Sequence, residues 1–177
     1  LIRQVLDEQP AKLETSEREE ALARLTTAGT LAMGVKHADC VIEAVPELLE
    51  LKARIFGDLD RNAPSHAILA TNTSSLPVGK IAAATGRPEL AVGMHFFNPV
   101  PVMPLLELVR AEKTSDATIA AAVSVAGRMG KDPIVVRDRV DVVSEYWLPF
   151  AEKYNAHAAD LSDREMASTR RRHRGGS

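Results

Sequence analysis

The sequence predicts an α/β fold with a largely parallel sheet and flanking helices. Short apolar, β-branched runs alternate with stretches of helical periodicity, which is typical of strand–helix–strand units. The run at residues 40–45 is apolar along most of its length, as expected of a strand covered on both faces. Polar residues follow several runs, at the strand ends where parallel sheets bind ligands.

Composition limits the possible classes of protein. The 177 residues suffice for one domain with a sizeable core, and 45% hydrophobic and 26% charged residues are typical of a soluble globular protein. A net charge of -2 gives no overall attraction to nucleic acid or anionic membrane. No apolar run approaches the ~20 residues that span a bilayer. No repeat or zinc-ligand spacing occurs, so we expect no metal.

The single cysteine, Cys40, excludes an intramolecular disulfide and suits a reducing compartment. Its apolar neighbours predict a buried, unreactive thiol. The N-terminus is charged and lacks the apolar core of a signal peptide. We therefore expect a cytoplasmic protein, or a mitochondrial-matrix protein in a eukaryote.

The N-terminal 27 residues predict helix. Pro10 interrupts the apolar periodicity, and Thr15-Ser16-Glu17 offers a capped restart. The opening Leu1-Ile2-Arg3 has neither a cap nor Met. We therefore expect the interior of a helix whose beginning is missing, and hence a fragment.

Five strands and three further helices are predicted in alternation. The strands cover residues 40–45, 67–70, 90–97, 105–109 and 133–137. The helices cover residues 47–60, 78–84 and 114–129, and they are ended by Pro64, by Gly86 with Pro88, and by Gly130.

Polar groups follow three of the predicted strands: Glu43 to Glu47, Asn72 to Ser75, and His95 with Asn98. Because the carboxyl ends of parallel strands meet at one edge of a sheet, these groups are expected to converge. The Asn-Thr-Ser-Ser loop alone is also explained by ordinary turn and capping chemistry.

The stretch from Met94 to Glu107 places a histidine at the end of one apolar run and a lone glutamate within the next. If the Pro-rich turn between them folds back, His95 and Glu107 can meet. A histidine paired with a carboxylate is the smallest set of side chains that can act as a general base toward a hydroxyl near neutral pH. A lone His and a lone Glu bordering strands are more commonly surface residues or satisfied core groups, and the residues alone favour that interpretation.

Four blocks together closely resemble the 3-hydroxyacyl-CoA dehydrogenase family: Val41-Ile42-Glu43-Ala44-Val45-Pro46-Glu47, Asn72-Thr73-Ser74-Ser75-Leu76, His95-Phe96-Phe97-Asn98-Pro99 and Pro101-Val102-Met103. The resemblance covers residues 1–138 and implies a partial Rossmann-like domain that binds NAD. It also implies NAD-dependent oxidation of an (S)-3-hydroxyacyl-CoA to the 3-oxoacyl-CoA. In that family a helical C-terminal domain completes the acyl-CoA site and forms the homodimer.

The resemblance assigns roles by motif position. His95 is implied as the catalytic base, Glu107 as its orienting carboxylate, and Ser74 as the group that touches the substrate oxygen or the nicotinamide region. The cofactor-binding residues it implies are Glu47 and Lys52 on the adenosine and ribose side, together with Asn72, Ser74 and, beside the nicotinamide, Asn98.

The chain departs from the family pattern at both ends. It has no G-x-G-x-x-G fingerprint for the pyrophosphate, and its first glycine is Gly29. After Asp138 the family's Pro-Gly-Phe-x-x-Asn-Arg block is missing. Residues 139–177 are therefore expected to be a divergent, poorly ordered tail in place of the helical domain. The arginines at residues 170–174 have no basic domain behind them, so a disordered tail is favoured over nucleic-acid binding.

These departures predict impaired activity for the chain, and homodimerisation is not assured. One alternative is a non-catalytic α/β fragment that binds acyl-CoA or a protein partner. Another keeps the enzyme class but takes a different β-hydroxyacid as substrate.

Overall fold

The computed structural model describes residues 15–138. The predicted helical segment before residue 15 and the predicted tail at residues 139–177 lie outside this part. The helices are α1 (Thr15–Ala23), α2 (Leu31–Val35), α3 (Leu49–Asn62), α4 (Val78–Ala82) and α5 (Asp116–Arg128), with a 3-10 turn at Pro88–Leu90. The strands are β1 (Cys40–Glu43), β2 (Ile68–Thr71), β3 (Ala91–Phe96), β4 (Leu105–Arg110) and β5 (Asp132–Arg137).

The five strands form one sheet in the order β1-β2-β3-β4-β5. Three neighbouring pairs are parallel, and only β3 and β4 run antiparallel. The connection between these two strands spans residues 97–104, whereas a parallel crossover needs about a dozen residues or more. The predicted α/β class with a largely parallel sheet and flanking helices is confirmed.

The apolar core lies on both faces of the sheet. On one face the strands pack against α5, in a cluster of Ile68, Ala70, Val92, Met94, Leu106, Leu108, Ala122 and Ala126. On the other face they pack against α2, α3 and α4, in a cluster of Val35, Phe56, Leu59, Leu69, Ile81, Ala82 and Ala91. Successive residues of β2 therefore enter opposite clusters, which explains its continuously apolar sequence.

At Gly93, β3 lies too close to β4 to leave room for a side chain. This residue lies opposite Val109, and a Cβ atom added at Gly93 would stand 2.6 Å from the Val109 Cβ and 3.0 Å from Val78 Cγ2. A side chain at this position would therefore push β3 away from both β4 and α4.

Three local features differ from the predictions. Helix α1 ends at Ala23, whereas helix was predicted as far as residue 27. The first strand ends at Glu43, not at residue 45, because the Glu43 carboxylate accepts a hydrogen bond from Val45 N at 2.6 Å and turns the chain. Helix α2 was not predicted. It has one turn, and the Thr30 side chain caps it by accepting from Met33 N at 3.3 Å.

The prediction of a buried Cys40 is only partly right. The residue is half-buried beside the α5-side cluster, and burial raises the pKa of its thiol. A raised pKa lowers the thiolate fraction at neutral pH, so the predicted low reactivity still follows. Within residues 15–138, no helix combines the length and the apolar character needed to cross a bilayer.

Candidate active site

The candidate site lies at the edge of the sheet where the parallel strands β1, β2 and β3 end. The loops after these strands carry the acidic, hydroxyl and histidine residues that the sequence analysis singled out. Strand β4 is antiparallel to β3 and places Glu107 opposite His95, near this edge. The loops and strands that carry the predicted polar groups therefore meet at this edge of the sheet.

His95 and Glu107 face each other across the antiparallel β3–β4 pair. They are register partners, so their side chains leave the sheet on the same face. His95 Nδ1 and Glu107 Oε2 are 3.1 Å apart, and their side chains are 15% and 12% exposed. A carboxylate at this nitrogen favours the tautomer with the proton on Nδ1, which leaves a lone pair on Nε2. The Phe97 ring packs at 4.6 Å from the imidazole, centroid to centroid.

Glu47 holds the loop that carries Ser74. Its Oε1 atom accepts hydrogen bonds from the backbone N–H groups of Ser74 at 3.0 Å and Ser75 at 3.3 Å. The Thr73 hydroxyl donates to the same oxygen. The carboxylate of one loop therefore fixes the backbone of the next.

These contacts determine the ionisation of Glu47. Partial burial raises its pKa, but the hydrogen bonds from Thr73 and Ser74, the charge of Lys52 and the Ser75 amide outweigh that effect. The pKa of Glu47 lies below its ordinary value, so this carboxylate is charged at neutral pH.

Lys52 lies beneath the edge of the sheet. Its side chain is fully buried, and its Nζ contacts Glu43 Oε1 at 2.9 Å, the Val45 carbonyl at 3.1 Å and the Asn72 carbonyl at 3.3 Å. Glu47 Oε2 lies 3.4 Å from the same nitrogen. The sequence analysis places Lys52 along the cofactor cleft, whereas in the structure it has no exposed surface and supports the loops from below.

Glu43 is a site component that the sequence analysis did not assign. The residue is buried, with its Oε1 bonded to Lys52 and its Oε2 accepting from the Thr71 hydroxyl at 2.7 Å. The sequence did indicate such a role, because a glutamate at the end of an apolar strand needs a hydrogen-bonding or charged partner when it is buried. The identity of that partner depends on tertiary packing.

Asn72 joins the end of β2 to the end of β3. Its side-chain oxygen accepts from the backbone N–H of Phe96 at 3.1 Å, directly after His95 in the chain. Its own N–H donates to the Glu43 carbonyl at 2.7 Å. In the structure the Asn72 side chain is thus occupied by protein, next to the proposed base.

Ser74 and Asn98 are both exposed at this edge. Ser74 is fixed through its backbone while its side chain faces solvent. Asn98 stands on the turn after β3, and the structure gives it no hydrogen bond to the other described site residues.

Lys131 anchors the turn between β3 and β4, and it too was missed. Its Nζ donates to the Met103 carbonyl at 2.7 Å and to the Val100 carbonyl. Burial lowers the pKa of Lys131. A lysine that follows a helix-ending glycine carries no sequence signal for this role.

A mainly parallel α/β sheet with polar loops gathered at the carboxyl ends of its strands is typical of nucleotide-binding domains. Comparison with known proteins identifies the type. A family model described as "3-hydroxyacyl-CoA dehydrogenase, NAD binding domain" matches residues 2–139. The chain therefore belongs to the family of 3-hydroxyacyl-CoA dehydrogenase NAD-binding domains, and NAD is the cofactor of that domain.

Several known proteins are similar. The fatty acid oxidation complex subunit alpha of Shewanella amazonensis is 49% identical over 126 residues, which are 71% of this chain and 18% of that protein. The crystal structure of FadB2 from M. tuberculosis has a TM-score of 0.71 at 40% identity, with 84% of this chain and 53% of that one covered. The crystal structure of (S)-3-hydroxybutyryl-CoA dehydrogenase PaaH1 from Ralstonia eutropha has a TM-score of 0.71 at 40% identity, with 78% of this chain and 48% of that one covered. The chain thus spans about half or less of each relative.

The described residues fit the nicotinamide end of an NAD molecule. Ser74 and Asn98 are exposed on the loops after β2 and β3, and their hydroxyl and amide groups can bond a carboxamide. The chain has no Gly-rich turn for the pyrophosphate. Among residues 15–138, no three His, Cys, Asp or Glu side chains are grouped as metal ligands would be.

Proposed function

We propose that this site takes part in NAD-dependent oxidation of an (S)-3-hydroxyacyl-CoA to the 3-oxoacyl-CoA. The observation that carries the proposal is the 3.1 Å contact between His95 Nδ1 and Glu107 Oε2, at the ligand-binding edge of a domain from this family. Two of the relatives named above are a fatty acid oxidation complex subunit and a 3-hydroxybutyryl-CoA dehydrogenase, which agrees with an acyl-CoA substrate.

The His95–Glu107 pair supplies a general base whose imidazole is held in one tautomer. With Nδ1 held by Glu107, the substrate hydroxyl delivers its proton to Nε2 of His95. The imidazolium that forms is stabilised by the Glu107 carboxylate. Both side chains are mostly buried, which strengthens this interaction relative to one in water.

Ser74 and Asn98 complete the proposed site. When bound, NAD supplies the hydride acceptor. We assign Ser74 to the substrate oxygen or the nicotinamide region and Asn98 to the nicotinamide. We also assign Asn72, Glu47 and Lys52 to cofactor binding, with Glu47 and Lys52 on the adenosine and ribose side. Asn72 in addition fixes the end of β3, and Glu47 and Lys52 fix the loop after β2.

NADH formation from 3-hydroxybutyryl-CoA tests the proposal. We expect His95→Gln to lower turnover by about 10²- to 10⁴-fold, because the proton acceptor is lost while the fold is kept. NAD affinity, measured by calorimetry, should change little. Equal turnover in the two proteins would contradict the assignment of His95.

A matched control is His66→Gln. His66 lies far along the chain from the pair, with an exposed imidazole beside Asp39. This variant should keep full turnover. If the unaltered chain showed neither turnover nor NAD binding, the alternative of a non-catalytic α/β fragment would be favoured.

Other sequence-based expectations stay predictions. They are the domain boundary at residue 138, the tail at residues 139–177, and a cytoplasmic or mitochondrial-matrix location. The family's homodimer is not assured for this chain. A partner domain that completes the acyl-CoA site also belongs with these proposals.

A further inference from the structure

The turn between β3 and β4 carries Asn98 but has little apolar packing of its own. Residues 98–102 are all exposed, and the apolar Val100 and Val102 are 41% and 58% exposed. We propose that Lys131 is a positioning residue that sets where Asn98 stands in the cofactor site by holding this turn. The inference rests on the proposed function, in which Asn98 meets the nicotinamide.

The turn closes on itself through its own backbone. The N–H groups of Val102 and Met103 both donate to the Pro99 carbonyl, at 3.0 and 2.9 Å. These bonds determine the shape of the turn. They do not determine its place relative to the sheet, because both partners belong to the turn.

The ammonium group of Lys131 supplies that attachment. Its Nζ donates to the Met103 carbonyl at 2.7 Å and to the Val100 carbonyl. An ammonium has three donors, so a single side chain can hold both carbonyls at once. Burial lowers the pKa of Lys131, as expected of an ammonium that has exchanged water for these two carbonyls. The turn is therefore held at two points by one residue.

The backbone of Lys131 is itself fixed. Gly130 follows α5 with a φ of 69°, and the N–H of Lys131 donates back to the Ala126 carbonyl at 3.0 Å. The next N–H, from Asp132, donates to the Pro104 carbonyl at 2.8 Å. Lys131 thus stands between the end of α5 and the start of β5, and both elements belong to the packed sheet.

Asn98 lies two residues before the first carbonyl that Lys131 holds. Its side chain has no hydrogen bond to the other described site residues, so its location follows from the path of the turn. His95, in contrast, lies on β3 and is paired in register with Glu107. Loss of the Lys131 ammonium should therefore displace Asn98 and leave the proton acceptor in place.

Steady-state kinetics on the full chain test the proposal. Lys131→Met should raise the KM for NAD by about 3- to 10-fold, the effect of one weakened hydrogen bond to a ligand. The KM for 3-hydroxybutyryl-CoA should stay within about 2-fold, because His95 and Ser74 keep their places. An equal rise in both KM values would indicate general damage to the domain and would overturn the proposal.

A double-mutant cycle with Asn98→Ala tests whether Lys131 acts through Asn98. In the Asn98→Ala background, Lys131→Met should change the KM for NAD by less than about 2-fold, because the group it positions is already gone. Full additivity of the two substitutions would refute the indirect role.

A conservative variant and a matched control complete the kinetic test. Lys131→Arg keeps a cation with several donors and should hold the KM for NAD within about 2-fold of the unaltered chain. Lys113→Met removes an exposed lysine from the loop between β4 and α5 and should leave both KM values unchanged. A control as impaired as Lys131→Met would contradict a specific role of Lys131.

A measurement independent of turnover separates this inference from the proposed function. In Lys131→Met, the NMR order parameters of the Asn98, Val100 and Val102 amides should fall from about 0.85, typical of rigid backbone, toward about 0.6. Those of the β4 amides should stay unchanged. If the unaltered chain lacked turnover but this result held, the proposed function would fail and the anchoring of the turn by Lys131 would stand. Unchanged order parameters in the turn would refute the anchoring.

Discussion

His95 and Glu107 stand twelve positions apart in the chain and meet because β3 and β4 are antiparallel. Side chains alternate between sheet faces, so a shift of the register by one residue would put His95 and Glu107 on opposite faces. The sequence suggested the pair through two apolar runs and a turn. It could not supply the register, which the burial of Met94 and Leu108 determines.

Lys52 shows what residue patterns miss. Its position on α3 resembles that of any surface lysine in an amphipathic helix, and nothing local marks it as buried. Its burial depends on Glu43, nine positions earlier, and on two backbone carbonyls. Such a charge is tolerated only with several partners, and those partners are visible only in three dimensions.

Replacing Lys52 by Met should destabilise the domain by about 3–5 kcal/mol, because the buried Glu43 carboxylate would lose its counter-charge. The free energy of unfolding in urea measures the loss. The double variant Glu43→Gln/Lys52→Met should recover part of it, since neither charge then remains.

Lys80→Met is the matched control for this change. Lys80 is exposed on α4, so its replacement should change stability by no more than about 0.5 kcal/mol. An effect of Lys52→Met as small as that of the control would contradict the importance of the buried pair.

At the scale of elements, the alternation of strands and helices was largely predictable. The five strands and helices α3, α4 and α5 all occur, with ends that coincide with the predicted ones or are shifted by one or two residues. Boundaries shift where side chains intervene, as Glu43 does by bonding Val45 N. Helix α2 was missed because five residues containing Gly34 give no measurable periodicity.

Gly93→Ala should destabilise the domain by about 1–3 kcal/mol, because the new Cβ would overlap Val109 and Val78. It should also reduce turnover, since β3 carries His95 two positions further on. Thermal or urea unfolding measures the first effect, and NADH formation the second.

Gly127→Ala is the matched control. Gly127 lies within α5 and has no atom within 4 Å of an added Cβ. Helix propensity then predicts a gain of about 0.4–1 kcal/mol. If the two substitutions had equal effects, the close approach at Gly93 would not matter to stability.

At the scale of the whole molecule, stability should depend on pH through Glu47. Its pKa in the folded state is below the ordinary 4.5, so the unfolded chain binds more protons at acidic pH. The contribution is complete above about pH 4.5 and is lost as the pH falls through the lower, folded-state value.

Urea unfolding across this acidic range, compared between the unaltered chain and Glu47→Gln, isolates the effect. The difference in unfolding free energy should shrink as the pH falls below 4.5. A constant difference across the range would show that Glu47 has the same pKa in both states.

The fold class and the largely parallel sheet were predictable from the sequence, but the tertiary contacts were not. Strand order follows chain order, and a largely parallel sheet follows from the helical crossovers. The contacts between loops were not predictable, because residues such as Glu47 and Ser74 are joined across 27 positions by tertiary packing. The contact between them is therefore visible only in the structure, whereas the family was suggested by motifs.

The antiparallel β3–β4 pair has a consequence for the order of assembly. Its two strands are joined by a short connection, so the His95–Glu107 contact closes a small loop, whereas the Asn72–Phe96 and Glu47–Ser74 contacts close longer ones. Local contacts require less loss of chain entropy and form early in folding. The proposed proton-transfer pair can therefore be in place before the parallel crossovers bring the rest of the site around it.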